Sequence, residues 1–536
     1  MSASRIQYRK LRAPQKHQAV LIEPPLSESN QLLHDNHSLI ANSNHLHIFG
    51  RPLIELRADA RDKLVADALK FTKSYADANF ADHANLIFLS GHQPKLFHPG
   101  VWFKNVLLGQ LAKKHSATAI NLIIDNDLCG EPIVHVPQGS IQNPIVSAVP
   151  YDDRKVNLPF EESTISNEAL FSSFGQRASN VLLEELQNNI GEFWNLVLQA
   201  NSSNPGFKFA QARHLLEIEH GIKNLELPLS SVCISREFLR FFCHLIRDAG
   251  RLQQTYNTLL GEYRQVHKLR SSSHPVPDLE LCGDSIEVPF WIWTEQEPSR
   301  RRLFCRTIDK HTELRDETGI IYGTIDLASN KDDAITQLEG IAQSGIKIRP
   351  RALTTTMYCR LVLSDLFVHG IGGGKYDQLT DAIAAEFFQF PLPKIQLATA
   401  TIKLFEQRLS NPVGDLKEIA EDLRSFEFSP DKFARKAIKL GHRQAAALEK
   451  LVEEKLKHVQ QQVAPKDRPR WHEALQDIHL QLQSLLENEH FALKTKQQVA
   501  QQRVHAFELL DSREFSFLFF NRKTLLDLLV TATKTS

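Results

Sequence analysis

Residues 84–124, ANLIFLSGHQPKLFHPGVWFKNVLLGQLAKKHSATAINLII, decide the fold. Residues 84–90 form a short apolar run that stops at Gly91, as a buried parallel strand does. After the turn GHQPKLFHPG, the residues Phe103, Val106, Leu107 and Leu111 share one face of a helix predicted over 101–114. Residues 117–124 (ATAINLII) are again strand-like. Strand, helix and strand in that order make a βαβ unit, whose crossover is expected to be right-handed, with any ligand outside the carboxyl ends of the strands.

A second unit lies downstream. Residues 366–369 read as a strand and GIGGGK as a turn, Tyr376, Leu379, Ile383 and Phe387 as the apolar face of a helix, and 394–398 as the next strand. Residues 287–293 and 302–306 flank the turn EQEPSR and read as an antiparallel hairpin, which either shapes a pocket or finishes the sheet. The expected fold class is α/β, with a Rossmann-like parallel-sheet core over 45–401 that carries the hairpin insertion near 287–306.

The flanks have other textures. Residues 1–44 are rich in Pro, Ser, Asn and His and read as an N-terminal arm, an entry strand followed by a loop. His34, His37, His45 and His47 fit a solvated loop better than a metal cluster, because no cysteine or carboxylate stands beside them in ligand spacing. Beyond Thr401, over 402–536, long polar helices take over. Ala445, Leu448, Val452, Leu456, Val459 and Val463 follow 3-and-4 spacing, Pro465 and Pro469 interrupt it, and Leu475, Ile478, Leu482 and Leu485 resume it. This is the pattern of a C-terminal α-helical coiled-coil domain, either packed within the chain or pairing two chains. The tail REFSFLFFN reads as a returning strand or a docking segment.

Composition narrows the function. The 536 residues include 63 Lys+Arg against 63 Asp+Glu, with 42% hydrophobic and 24% charged, the proportions of a globular protein of several domains. A net charge of zero gives no basic excess for nucleic acid or an anionic membrane. Cys129, Cys233, Cys243, Cys282, Cys305 and Cys359 are scattered without a C-x-x-C pair and read as reduced thiols. The first residues are polar, and no apolar run approaches the ~20 residues that span a bilayer. A cytoplasmic protein acting on small molecules is expected.

Three constellations at predicted strand ends carry the chemistry. Gly91, His92, Gln93, Lys95 and His98 follow the first strand, where histidines and free backbone N–H groups can hold a phosphate or carboxylate. Paired histidines also serve nucleotidyl transfer, although the spacing here differs from a compact H-x-G-H. Asp125, Asn126, Asp127 and Glu131 end the neighbouring strand and can bind an amine, act as general base or hold Mg²⁺ through water. An Asx turn explains Asn126 or Asp127 alone equally well, whereas the group facing a histidine cluster favours a site. The third constellation is His369, Gly370, Ile371, Gly372, Gly373, Gly374, Lys375, Tyr376 and Asp377, a glycine loop that fits neither a Walker A nor a G-x-G-x-x-G pattern but lets backbone approach an anion beside a lysine. Upstream, Arg349 or Arg351 is expected to reach the site before Arg360, which lies in a predicted helix.

The runs SGHQPKLFHPGVWFKN, IIDNDLCGE and RPRALTTTMYCRLVLSDLFVHGIGGGKYDQLTDAI resemble, in order and separation, the bacillithiol biosynthesis cysteine-adding enzyme family, with its TGQQ-x-GL-x-GGP, EDHD-like and RP...GPGE-x-x-Y blocks. The resemblance rests on these three blocks and on the sequence of core then coiled coil. It implies a ligase that condenses the carboxylate of an amino acid, cysteine in the family, with the amino group of a sugar-derived substrate. ATP with Mg²⁺ and homodimerisation through the C-terminal helices are also implied. Gly91, His92 and Gln93 carry over for the first loop, Asp125 and Asp127 for the acidic strand end, and Gly370 to Asp377 for the glycine loop. His92 stands where the family has glutamine, and Lys375 stands near its loop glutamate. On this reading His92, His98, the glycine loop and Arg349 or Arg351 hold a carboxylate or phosphate, and Asp125 or Asp127 deprotonates the amine. The alternatives are a nucleotidyltransferase-type enzyme and a non-catalytic coiled-coil interaction protein.

Overall fold

The computed structural model describes residues 6–78, 85–154, 157–186, 190–405 and 411–534. Ala84, the first residue of the strand expected over 84–90, lies outside them, as do 1–5 of the arm and 406–410 and 535–536 of the helical region.

Both expected βαβ units form. The first is Ile87–His92, Pro99–His115 and Thr118–Ile123, and the second is Leu366–Gly370, Asp377–Phe388 and Ile395–Thr401. They share one six-stranded sheet. Its spatial order runs Ala19–Glu23, Ile395–Thr401, Leu366–Gly370, Ile87–His92, Thr118–Ile123 and Leu225–Pro228. All neighbours are parallel except the first pair, where the arm's entry strand lies antiparallel on the edge. From Ile87–His92 the chain moves to one side, and from Leu366–Gly370 to the other. Strand order therefore reverses between those two strands, which leaves a cleft at their carboxyl ends.

Alternation along the strands builds a core on each face. Phe88, Leu366 and Val368 join the helix Pro99–His115 on one face, whereas Ile87, Leu89 and Phe367 join Asp377–Phe388 on the other. Two readings of the arm and the loop change. The His34 and His37 segment is the helix Ser29–Ala41, and GIGGGK contains a short helix, Ile371–Gly374.

The expected hairpin is part of a larger element. Ser285–Thr294 and Arg301–Ile308 pair antiparallel inside a second six-stranded sheet with His311–Arg315, Ile321–Asp326, Ile346–Pro350 and Leu281–Cys282. The side chain of Asn126 joins the sheets by donating to the Pro350 carbonyl at 2.7 Å.

Beyond the core stand the helices Val413–Phe428, Pro430–Lys439, Ala445–Val459, Arg468–Leu485 and Glu487–Leu510. Leu448, Val452, Ile478 and Leu482 are buried together with Phe426. Leu456 and Val459, on the same predicted stripe, are 44% and 52% exposed. The tail docks and does not form a strand: Phe517 packs 4.6 Å from Trp102 and 5.2 Å from Phe193 between ring centroids, and its N–H donates to the Phe97 carbonyl at 2.9 Å. No helix among the described residues is long and apolar enough to cross a membrane.

Phe517 is 4% exposed and couples the tail to the helix that follows the first strand. Phe517→Ala is expected to destabilise the protein by roughly 3–5 kcal/mol in urea unfolding, the range for a truncated core aromatic. A change below about 1 kcal/mol would show that the tail is not anchored there.

Candidate active site

A cavity of ≈ 720 Å³ opens where strand order reverses. Its lining includes Gly91, His92, Gln93, His98, Asn126, Asp127, Arg351, His369, Gly370, Gly372, Gly373 and Lys375. Thus all three sequence constellations, and one of the two candidate arginines, meet in one place.

At its floor lies a residue absent from the sequence-derived set. Lys104 is 3% exposed, and its ammonium donates to the Gly91 carbonyl at 2.8 Å. Its stem passes so close to Gly370 that a Cβ there would stand 3.2 Å from the lysine Cδ. Burial, aided by the charge of Arg213, lowers the ammonium's pKa from 10.5 to about 7. The sequence signal is its position: Lys104 shares a helical stripe with Leu107, Leu108 and Leu111, a lone cation on an apolar face.

Lys104 acts in turn on the histidines. Burial lowers His98 to about 4 and His369 to about 3, and lowers His92 well below 6.5; the charge on Lys104 contributes in each case. All three imidazoles are neutral at pH 7. Nδ1 of His92 donates to the Gln93 carbonyl at 3.1 Å, so its Nε2 is left as an acceptor. His98 caps its helix, with Nδ1 accepting from Gly100 N–H at 3.1 Å and Nε2 at 3.4 Å from Glu514. A Cβ on Gly373 would fall 1.8 Å from the His369 ring, so only glycine lets that imidazole sit there.

The opposite wall comes from the second sheet. Arg300, in the EQEPSR turn, pairs with Asp127 at 3.0 Å, and Gln93 donates to the other Asp127 oxygen at 2.7 Å. The first oxygen also accepts from Leu128 N–H at 2.8 Å. Trp291 carries two guanidinium groups, Arg351 at 4.2 Å and Arg300 at 4.5 Å from its ring centroid. Arg351 also pairs with buried Glu287 at 2.6 Å. The tail closes the ring with Arg513 and Glu514. Arg513 donates to Thr399 at 3.0 Å, and among the described residues its buried Nη1 has no hydrogen-bond partner. Arg300, Trp291 and Arg513 were invisible as site residues in the sequence, because they arrive from a turn, a second sheet and a distant tail.

Seven predicted residues lie elsewhere, among them Glu131, which lines a separate chamber. Asp125 is fully buried behind the wall and accepts from Ser230 N–H at 2.9 Å and its hydroxyl at 2.5 Å. Burial, with Glu161 nearby, raises its carboxyl to about 7. Arg349 forms a bidentate pair with Glu161 at 2.9 and 2.8 Å and ties the second sheet to the turn at Phe160–Glu162. Lys95 points away, over Phe160. Gly374 packs on Leu397, Tyr376 lies edge-on to His274, and Asp377 pairs with Arg360 at 3.5 Å. Arg349 lies within the strand Ile346–Pro350, Gly374 and Asp377 lie on helices beyond a strand end, and Asp377 stays 3.9 Å from Nε2 of His369 without lining the cavity.

No known protein family matches the chain, and no curated protein matches it in sequence. Its chemistry must therefore be read from these residues. The lining carboxylates are Asp127, whose oxygens are already engaged, and the exposed Glu514. This set does not fit a directly held Mg²⁺. Lys104 and Arg513 do fit the phosphate or carboxylate of a ligand. Cys359 also lines the cavity, but burial pushes its thiol up to about 12, which keeps it protonated.

A cation with a lowered pKa opposes folding while charged, and the opposition fades as pH rises from about 7 towards 10.5. Lys104→Met is expected to unfold at a higher urea midpoint than the wild type at pH 7, with the difference shrinking by pH 10. Equal midpoints at both pH values would mean that Lys104 is not a desolvated cation.

Proposed function

We propose that the protein is a ligase-like enzyme that joins the carboxylate of an amino acid to an amine of a sugar-derived substrate, in the cavity at the strand reversal. The observation that carries this reading is Lys104, a buried ammonium held against the Gly91 carbonyl and beside Gly370. A desolvated lysine is costly to keep without an anion to meet it, and perturbed groups in a cleft are candidates for a functional site.

In this reading Lys104 and Arg513 hold the anionic group and stabilise charge that develops on the reacting oxygen as the amine attacks. The neutral His92 accepts the amine's proton at Nε2. Gln93 and Arg300 keep Asp127 in place, where it orients the amine and does not serve as base. ATP would activate the carboxylate by placing a phosphoryl or adenylyl group on one of its oxygens, and that oxygen would leave with the phosphate, held by Lys104 and Arg513, as the amine forms the amide bond. The Rossmann-like core, the C-terminal coiled coil and cysteine as the amino acid belong to the same reading, by resemblance to the cysteine-adding enzymes of bacillithiol biosynthesis. A cytoplasmic homodimer, paired over the exposed Leu456 and Val459, completes it.

Nucleotidyl transfer would call on His92 and His98 to stabilise the transferred phosphate, a role that burial, which lowers both imidazoles, disfavours. A 720 Å³ cavity with converging cations is also more than a non-catalytic scaffold needs.

The test is incubation with ATP, Mg²⁺, cysteine and glucosamine conjugates, with mass spectrometry of the products. A condensed product that depends on ATP is expected, with kcat/KM lowered roughly 100-fold or more in Lys104→Met. Neither product nor any nucleotide-induced rise in melting temperature in the wild type would overturn the proposal.

A further inference from the structure

A second chamber lies on the far side of the Pro94–Leu96 segment. It has a volume of ≈ 250 Å³ and is lined by Lys95, Glu131, His135, Tyr151, Arg154, Phe160 and Glu514, among others. Glu514 lines both chambers, so the docked tail stands between them.

Arg154 makes this chamber more than a surface dent. Its side chain is 3% exposed, and among the described residues its Nε and Nη1 are buried with no hydrogen-bond partner. Nη2 donates to the Tyr151 hydroxyl at 3.1 Å. Tyr151 is itself buried, and its hydroxyl lines the chamber beside the guanidinium. Asp152 forms a long ion pair with Nη1 at 3.8 Å, its oxygens accepting from the backbone N–H groups of Asp153, Ser166 and Asn167, and the Cys129 thiol also lies against the guanidinium. A buried guanidinium with two nitrogens short of hydrogen bonds, and only a long ion pair to Asp152, is under-coordinated and gains from a second anion that fills the gap.

We propose that Arg154 and Tyr151 form a binding site for a small organic carboxylate, separate from the strand-end cavity. Planar, forked guanidinium donors suit a carboxylate, and the volume suits an acid of about three to five carbons. Lys95 at the mouth adds a point charge that draws the anion inward, and its place in the first constellation is explained by this chamber. The site does not depend on the proposed ligase activity, since its donors are complete without Lys104.

The test uses lactate, succinate and inorganic phosphate as probes in isothermal titration with the full chain. Saturable binding of lactate or succinate is expected. Arg154→Met should weaken it at least tenfold, and Arg154→Lys should restore part of it. Tyr151→Phe, which preserves the packing, should weaken it several-fold and guards against a misfolded arginine variant. Arg154-dependent binding should persist in the Lys104→Met background, where the strand-end cavity has lost its own anion donor, which separates the two sites. Binding lost in Lys104→Met but kept in Arg154→Met would overturn the proposal, as would phosphate binding as tight as carboxylate in an Arg154-dependent manner, or no binding of either acid.

Discussion

The ammonium of Lys104, held at 2.8 Å from the Gly91 carbonyl under the reversal of strand order, is the constraint on which the site depends. Two parallel strands leave the cleft in opposite directions, and the helix Pro99–His115 brings one lysine into it from below. Glycine eases the close approach on both sides. Gly370 admits the lysine stem, and Gly100 lets the helix start close to the Ile395–Thr401 strand, where a Cβ would stand 2.3 Å from the Ala400 carbonyl. Charge then organises the rest, because a cation buried at this point helps to keep His92, His98 and His369 neutral.

The second sheet supplies the wall that a bare α/β core lacks. Its attachment runs through Asn126 to the Pro350 carbonyl and through Arg349 to Glu161. Buried pairs of this kind hold geometry more than they add stability. They set Arg351, Trp291 and Arg300 opposite the strand ends, where Arg300 and Gln93 share Asp127. The tail makes the site depend on the C-terminal region as well, since Phe517 anchors the segment that carries Arg513 and Glu514.

The parallel units were legible because buried strands and an amphipathic helix write their periods locally. The convergence of the His92, Asp127 and His369 loops followed from the rule that ligands sit outside strand carboxyl ends. Which member of each loop faces inward did not follow. Asp125 and Asp127, like Arg349 and Arg351, stand two apart and would share a face in a continuous strand, but the chain leaves its strand at Ile123 and at Pro350, and one sequence does not display the turn that separates each pair. Four further strands beside the hairpin escaped notice because they are short and mixed in polarity, as strands of a half-exposed antiparallel sheet are. In the helical region the apolar spacing was read correctly at Leu448 and Leu482, but spacing alone does not tell which end of a stripe is covered, and Leu456 and Val459 are not.

The most direct measurement is the titration of Lys104 by NMR, with ¹³C-labelled lysine, its resonance assigned by comparison with Lys104→Arg, in the free protein and with phosphate or ATP added. A transition near pH 7 in the free protein that moves upward on adding the anion is the predicted result. A transition near the ordinary lysine value of about 10.4, unmoved by either anion, would contradict the account.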